Sequence, residues 1–322
     1  MPYKTDNSIL PLRFAEDLKP NSRIGWLFVF ICCSLTGIGF WFSAQPHILM
    51  WIFGQTFLAV ALLQWFILLH EAGHGTLFKG RKMNLLTGHV ASLLVGIPFF
   101  SWRQIHNLHH LWTGWQDRDP TTASLVPRKL SALERGIVNF CWKCWVPLFG
   151  VLYRIQNFWN IPRLTNFIAE RRTITLMSLN SLGVLLVYGL VFVLVGPGLI
   201  LKYFGLAFLL SLIMQETLLL SQHTHIPMEL SRGNRVEPHP GQMQEKFTRT
   251  LTFPNWVSKW ILMSFDMHGK HHTNVKTPGY LLNGIICKAE NQYNWFSWVR
   301  MARKMPGEDF LFKNRNQSLM NL

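Results

Sequence analysis

Charged residues are scarce in this sequence, and acidic residues are the scarcest of them. Only 15% of the 322 residues are charged, and 16 Asp and Glu stand against 31 Lys and Arg. Because 49% of the residues are hydrophobic, a disordered or solvent-exposed chain is excluded. The five cysteines are too few for a disulfide framework, and their spacing fits no iron–sulfur cluster. No helix-turn-helix or zinc-finger spacing is present, so nucleic acid is not expected as a partner.

The hydrophobic residues are concentrated in four runs with few or no charges, each long enough to cross a bilayer. These runs cover residues 24–42, 48–69, 173–195 and 199–220. Short connectors containing Pro or Gly join the first run to the second and the third to the fourth, which predicts two helical hairpins. A shorter apolar stretch, 85–100, is interpreted as a re-entrant or interfacial helix. The predicted fold is an all-α integral membrane protein with four transmembrane helices.

Basic residues lie almost entirely on one predicted side of the membrane. The segments 1–23, 70–172 and 221–322 hold 30 of the 31 Lys and Arg, all except Lys202. Because basic residues accumulate on the cytoplasmic side, we expect these three segments and both termini to be cytoplasmic. The whole chain, 1–322, is then one domain with a helical cytoplasmic cap. The last residues carry no retrieval signal, which favours a bacterial inner membrane, with the endoplasmic reticulum as the alternative.

Histidine is the residue whose placement is most informative. Eight of the 13 histidines form three short clusters: His70 and His74; His106, His109 and His110; and His268, His271 and His272. On a helix, these spacings put the imidazoles of each cluster on one face. Imidazole binds Fe, Zn, Cu and Ni, and eight ligands are too many for one ion, so a dinuclear metal site is predicted. His47, His89 and His239 are isolated and are interpreted as ordinary structural residues.

These clusters, at the cytoplasmic ends of two membrane hairpins, resemble the histidine boxes of the membrane fatty acid desaturase and hydroxylase superfamily. Segment 110–120 resembles that of bacterial desaturases, and segment 222–227 is similar to the stretch before the third box in omega-type acyl-lipid desaturases, so bacterial acyl-lipid desaturases are the most similar members. The third box departs from the usual desaturase sequence because Thr273 and Asn274 follow it. The resemblance implies an O2-dependent enzyme that introduces a double bond into a fatty acyl chain of a lipid. A fatty acid, alkane or carotenoid hydroxylase or ketolase on the same scaffold is the alternative.

The resemblance also implies the cofactor, the ligands and the partners. Two non-haem irons would be held by the eight boxed histidines and by one more near the end of the fourth span. That ninth ligand is expected to be His223, with His225 as the alternative. A separate ferredoxin or cytochrome b5 would supply electrons, and membrane lipids would surround the protein.

Four acidic residues near the boxes are considered as partners of the imidazoles, and one of them, Asp117, is interpreted equally as such a partner or as a surface residue. Glu71 and Asp266 are predicted to accept a hydrogen bond from the free N–H of a metal-binding imidazole and so fix its orientation. Asp119 precedes Pro120 and is interpreted instead as a turn cap.

The first box supports a rival function. His70-Glu71-Ala72-Gly73-His74 is a literal H-E-x-x-H motif, in which two histidines bind zinc and the glutamate activates water. An intramembrane zinc metalloprotease would need a further ligand from a later span, and Glu216 is the clear candidate. That reading leaves the other six boxed histidines without a role. A metal transporter is disfavoured because transporters place ionisable ligands near the middle of their spans.

Overall fold

The structure, a computed structural model, describes residues 18–285 and 291–318. Its helices are α1 Ser22–Ser43, α2 Ile48–His74, α3 Arg81–Val95, α4 Phe99–Trp112, α5 Ala132–Lys143, α6 Leu148–Arg154, α7 Ile161–Leu164, α8 Arg171–Val195, α9 Pro197–Ile200, α10 Leu206–His223, α11 His268–Thr273, α12 Trp295–Ala302, α13 Gly307–Phe312 and α14 Arg315–Ser318. Short 3₁₀ or π turns lie at Ala123–Leu125, Ile155–Trp159, Leu201–Gly205, Gly241–Phe247, Val257–Ile261 and Gly279–Gly284. Two short strands, β1 Thr250–Thr252 and β2 Gln292–Asn294, pair in parallel.

Four helices are long and apolar enough to cross a membrane, as predicted. They are α1, α2, α8 and the nearly continuous helix that runs from α9 to α10, Pro197–His223. In a bilayer, a helix satisfies all of its own backbone hydrogen bonds, which explains why these uncharged runs adopt this structure. The all-α prediction is confirmed for the described residues, with the two-stranded sheet as a minor exception.

Helix α2 is the centre of the bundle and packs against α1, α3 and α10. Its side chain Gln55 joins three elements, because its Nε2 donates to Ser43 Oγ at 2.9 Å while its Oε1 accepts from the backbone of Ala207 at 2.9 Å. A buried amide satisfied on both sides fixes the position of α2 along its neighbours. The C-terminal end of α2 carries the first histidine box.

The fifth apolar stretch is not one helix, because it breaks sharply between residues 96 and 98. Helices α3 and α4 meet there at 102°, a geometry that fits a broken span or a re-entrant loop. Gly96 ends α3 with φ of 74°, a left-handed conformation that favours glycine. Pro98 then starts α4. This bend directs α4, which carries the second box, back towards the end of α2.

A second bent pair was not predicted from the sequence. Helices α5 and α6, the latter extended by the turn Ile155–Trp159, are together apolar enough to resemble a broken span and meet at 111°. From the sequence, this segment was predicted to be part of a cytoplasmic loop. The pair matters for the site because Phe149 and Tyr153 on α6 line the pocket beside the histidines.

Candidate metal centre

The four helix segments that carry the clustered histidines converge on one region. These segments are the C-terminal ends of α2, α4 and α10 together with the short helix α11. The spacing of three or four residues turns the imidazoles of each helix to the same side. The histidines divide into two groups, within each of which the ligand atoms lie within 4.8 Å of one another.

The five-histidine group takes members from all three boxes. It consists of His70, His74, His106, His110 and His271. The Nε2 atoms of His74 and His106 are 2.9 Å apart, and those of His110 and His271 are 3.1 Å apart. Three separate helices therefore contribute nitrogen atoms to a single small volume.

The four-histidine group contains His109, His223, His268 and His272. The Nε2 atom of His268 lies 2.7 Å from that of His223 and 3.0 Å from that of His272. The two groups are adjacent, since the rings of His110 and His272 are centred 4.4 Å apart. The arrangement thus has room for two ions side by side, one per group.

Hydrogen bonds to the other ring nitrogen leave Nε2 free in four of these histidines. His70 Nδ1 lies 3.1 Å from Glu71 Oε1, and His109 Nδ1 lies 2.7 Å from Asp119 Oδ2. His223 Nδ1 lies 3.0 Å from the carbonyl of Phe247, and His272 Nδ1 lies 2.9 Å from Gln244 Oε1. Each partner is an acceptor, so Nδ1 carries the hydrogen and Nε2 keeps a bare lone pair. Several bare lone pairs facing one another repel unless a cation lies between them, so the donor set fits metal ions.

Burial also keeps the imidazoles in the form that binds metals. Burial lowers the pKa of His271 and of His272 well below the usual value, and the neighbouring histidines lower it further. Both rings are therefore neutral at physiological pH. Neutral imidazole is the metal-binding form, so ions need not displace protons from these two side chains.

Glu71 makes the contact that the sequence predicts. Its Oε1 accepts from His70, while its Oε2 accepts from Thr76 Oγ1 at 2.7 Å and from the backbone of Gly279 at 2.9 Å. These three bonds hold the carboxylate as an anchor for the ring of His70. A zinc protease would need this carboxylate to contact water beside the metal, so its engagement here disfavours that rival.

Asp266 and His225 do not lie where the sequence analysis placed them. The Asp266 carboxylate accepts from Ser258 Oγ at 2.8 Å, and burial raises its pKa to about 6. The Nδ1 atom of His268, in the box that follows Asp266, has no hydrogen-bond partner among the described residues. His225 has a φ of 65° and directs its Nε2 to Ser318 Oγ at 2.7 Å, outside both histidine groups.

Asp119 makes the contact with an imidazole that the turn-cap interpretation set aside. It is buried, and one carboxylate oxygen accepts from the backbone and hydroxyl of Thr121, each at 2.8 Å, as a turn cap does. The other oxygen accepts from His109 Nδ1. Although burial favours the neutral acid, its interactions with His109 and Thr121 hold the pKa of Asp119 below the usual value. The cap interpretation was therefore incomplete, since Asp119 fills both of the roles that were considered for it.

Gln244 was not singled out from the sequence. Its Oε1 faces His272 Nδ1, and its Nε2 donates to the carbonyl of His110 at 2.7 Å. One amide therefore links the second and third boxes. Because it lies more than 25 residues from either partner, no local signal in the sequence identifies it.

Two further residues position the helix ends that carry ligands. Arg249 is 1% exposed, and its Nη1 donates to the carbonyls of Ser221 and Thr224 at the end of α10, on either side of His223. Gly73 lets Trp102 approach α2, because a Cβ atom on Gly73 would lie 2.2 Å from the indole. The indole in turn stacks on His106, with ring centres 4.4 Å apart.

An apolar cavity leads towards the histidines. It has a volume of about 290 Å³ and lies between α5, α6 and α13, with Cys141, Trp142, Leu152 and Glu216 on its walls. A smaller pocket beside it is lined by members of both histidine groups. Leu125, Phe149 and Tyr153 line both spaces and so form the boundary between them. An apolar chain in the cavity would therefore reach the histidines past these three side chains.

Comparison with known proteins identifies the family. The model of the family described as fatty acid desaturase matches residues 46–283. Among individual proteins, the sn-1 oleoyl-lipid 12-desaturase of Anabaena variabilis is 24% identical, over 89% of this chain and 84% of its own length. The chloroplastic omega-6 fatty acid desaturase of Spinacia oleracea is 21% identical, over 88% of this chain and 62% of its own length. The chloroplastic sn-2 acyl-lipid omega-3 desaturase (ferredoxin) of Helianthus annuus is 24% identical, over 52% of this chain and 41% of its own length. The resemblance noted in the sequence is thereby confirmed, and the chain belongs to the fatty acid desaturase family.

Proposed function

We propose that this protein is a di-iron lipid desaturase, in which each histidine group holds one iron. The observation that carries the proposal is the division of nine histidines into two adjacent groups with converging Nε2 atoms. The nine are His70, His74, His106, His110 and His271 in one group and His109, His223, His268 and His272 in the other. Bound iron would supply the redox chemistry with O2 that breaking an unactivated C–H bond requires.

The overall reaction fixes what the partners must deliver. Two hydrogens leave adjacent methylenes of the acyl chain, which becomes a cis or trans alkene, and O2 is reduced to two waters. That reduction consumes four electrons, of which two come from the acyl chain and two from an external donor, together with two protons. Hydroxylation consumes the same donor electrons but leaves one oxygen atom in the product, which gives a direct way to distinguish the alternative.

The substrate is proposed to be a fatty acyl chain of a membrane lipid. The relatives are named as acyl-lipid or fatty acid desaturases, and the apolar cavity of this chain borders the pocket that the histidines line. Leu125, Phe149 and Tyr153 would hold the chain where it passes from the cavity to the metals. Their apolar surface would also exclude water from the reacting methylenes.

The electron donor is proposed to be a separate ferredoxin or cytochrome b5. One relative carries ferredoxin in its name, and the chain has no cysteine spacing for a cluster of its own. The excess of basic residues on the predicted cytoplasmic segments would attract an acidic carrier. The same charge distribution supports cytoplasmic termini, and the cyanobacterial relatives support a bacterial inner membrane. The whole chain is proposed to act as one domain.

Filling the apolar cavity should block the substrate. Cys141 lines the cavity, whereas Cys144, one helical turn further along, is exposed outside it. We expect Cys141→Trp to lower the rate of lipid desaturation at least about tenfold, because the indole occupies the space of several methylenes. Cys144→Trp is the matched control and should retain the wild-type rate. Equal rates in both variants, measured in proteoliposomes, would show that the acyl chain does not use this cavity.

Product analysis in proteoliposomes tests the proposed reaction. The purified protein is supplied with iron, a lipid of defined acyl chains, 18O2, and reduced ferredoxin or cytochrome b5. Lipid extracts analysed by mass spectrometry should show a loss of two hydrogens and no 18O. A product that carries one 18O would establish the hydroxylase instead.

A further inference from the structure

A basic pocket adjoins the apolar cavity. It has a volume of about 560 Å³ and is lined by the cationic side chains of Arg128, Lys129, Arg135 and Lys313, with Glu308 as an acidic residue of the lining. Arg128 and Phe312 line both the pocket and the cavity. The guanidinium carbon of Arg128 lies 5.4 Å from the centre of the Phe312 ring. A molecule with an apolar tail in the cavity would therefore place its attached polar group among these cations.

The ion pairs around this pocket leave its cations available to an anion. Arg128 pairs with Glu134 at 2.9 Å, Arg135 approaches Glu308 at 4.0 Å, and Lys313 pairs with Asp309 at 2.5 Å. The basic side chains of these pairs are about half exposed, and exposed pairs stabilise a protein only weakly. Lys129 is exposed and has no ion pair among the described residues. A phosphate can thus exchange for these weak partners while gaining several charge-assisted hydrogen bonds.

Helix α5 indicates the depth of the pocket relative to the membrane. Its side chains Leu133, Ile137 and Phe140 are spaced at i, i+4 and i+7, and all three are well exposed, Leu133 by 74%. Glu134 and Arg135 lie elsewhere on the same helix, and Arg135 lines the pocket. An exposed apolar stripe beside charged residues is typical of a helix that lies at the membrane surface. The pocket would then lie at the level of the lipid headgroups.

We propose that this pocket binds the phosphate of an anionic phospholipid whose acyl chain occupies the apolar cavity. The proposal rests on the proposed function, since it names the lipid class that the desaturase accepts. The glycerol would sit at Arg128 and Phe312, where the two spaces meet. The phosphate would contact Arg128, Lys129 and Lys313, and the chain would extend past Leu125 towards the histidines. A neutral galactolipid with the same chains would fit the cavity but would leave these cations without a partner.

Lipid binding, measured without turnover, tests this assignment. The detergent-purified full chain is titrated with dioleoyl phosphatidylglycerol or with a galactolipid of the same acyl chains, and bound lipid is counted by native mass spectrometry. We expect the phospholipid to bind about tenfold more tightly, as about 1.4 kcal/mol of added phosphate contacts would produce. The double variant Lys129→Gln/Lys313→Gln should reduce this preference to about twofold or less. Lys143→Gln, on α5 but outside the pocket, should leave the preference unchanged.

Three results would overturn the proposal. They are equal binding of both lipids by the wild type, an unchanged preference in the double variant, and binding of the deacylated headgroup glycerophosphoglycerol as tight as that of the intact lipid. The last would show an anion site that is independent of the cavity. If the expected binding is found but no lipid is desaturated, the proposed function fails while the phospholipid site stands. The two proposals are therefore tested separately.

Discussion

Replacement of His223 by Ala is expected to remove one of two bound irons and to lower lipid desaturation by more than about 100-fold. The expected loss of activity exceeds the 10–100-fold loss that is typical when a residue hydrogen-bonded to a metal ligand is replaced. The Nε2 atom of His223 lies 2.7 Å from that of His268, while its Nδ1 is held by the Phe247 carbonyl. Loss of this ring leaves three histidines in the four-histidine group. Iron per chain, measured by elemental analysis, and the desaturation rate check the prediction.

His225→Ala is the matched control for this prediction, because the two histidines are only two residues apart. Its ring bonds to Ser318 and lies outside both groups. We expect this variant to keep two irons per chain and to lose only some thermal stability, through an unfilled space around Phe310. If His225→Ala lost an iron and His223→Ala kept both, the assignment of the ninth ligand would be wrong.

Replacement of Asp119 by Asn is expected to weaken iron binding at the four-histidine group about 10–100-fold and to lower activity accordingly. The backbone N–H of Thr121 can only donate, so the amide oxygen of the new side chain must remain on that side. The amide NH2 group then faces His109 Nδ1 and forces the ring hydrogen onto Nε2. In that tautomer Nε2 has no lone pair for a metal. Titration with ferrous iron should therefore show one tight and one weakened site.

Asp117→Asn provides the control for Asp119→Asn. Asp117 lies two residues away and accepts from the backbone and hydroxyl of Ser231 and from the backbone of Arg232. It holds the loop around Ser231, so its replacement should lower the melting temperature slightly and leave both iron affinities unchanged. Two tight sites in Asp119→Asn would show that the carboxylate is only a turn cap, as the sequence alone suggested.

The parts of the fold that the sequence predicts are those set by local composition. The four spans follow from uncharged runs because a bilayer requires internally bonded backbone, and the structure extends the predicted limits by only a few residues. The histidine boxes follow from helical spacing, which depends on neighbours three and four residues away. Both signals are contained within short windows of the chain.

The parts that the sequence does not predict depend on distant contacts. Gln244 reaches His272 and His110 only because a turn folds over the ends of α4 and α11. The bend between α5 and α6 places Phe149 and Tyr153 at the pocket, although nothing local marks them as site residues. Asp119 caps its own turn, as the local sequence indicates. Its hydrogen bond to His109 depends in addition on how that turn packs against α4. Asp266 lies only two residues before the third box, yet its carboxylate bonds to Ser258 and not to a histidine of that box.

Metal content is the most direct measurement of the central claim, which is that the two histidine groups hold two irons. Purified protein loaded anaerobically with ferrous iron should contain about two irons per chain by elemental analysis. Mössbauer spectra of protein loaded with 57Fe should show nitrogen-rich coordination with no sulfur ligand. One zinc per chain that is retained in His109→Ala but lost in His70→Ala would contradict the claim, and the H-E-x-x-H protease would then account for the first box.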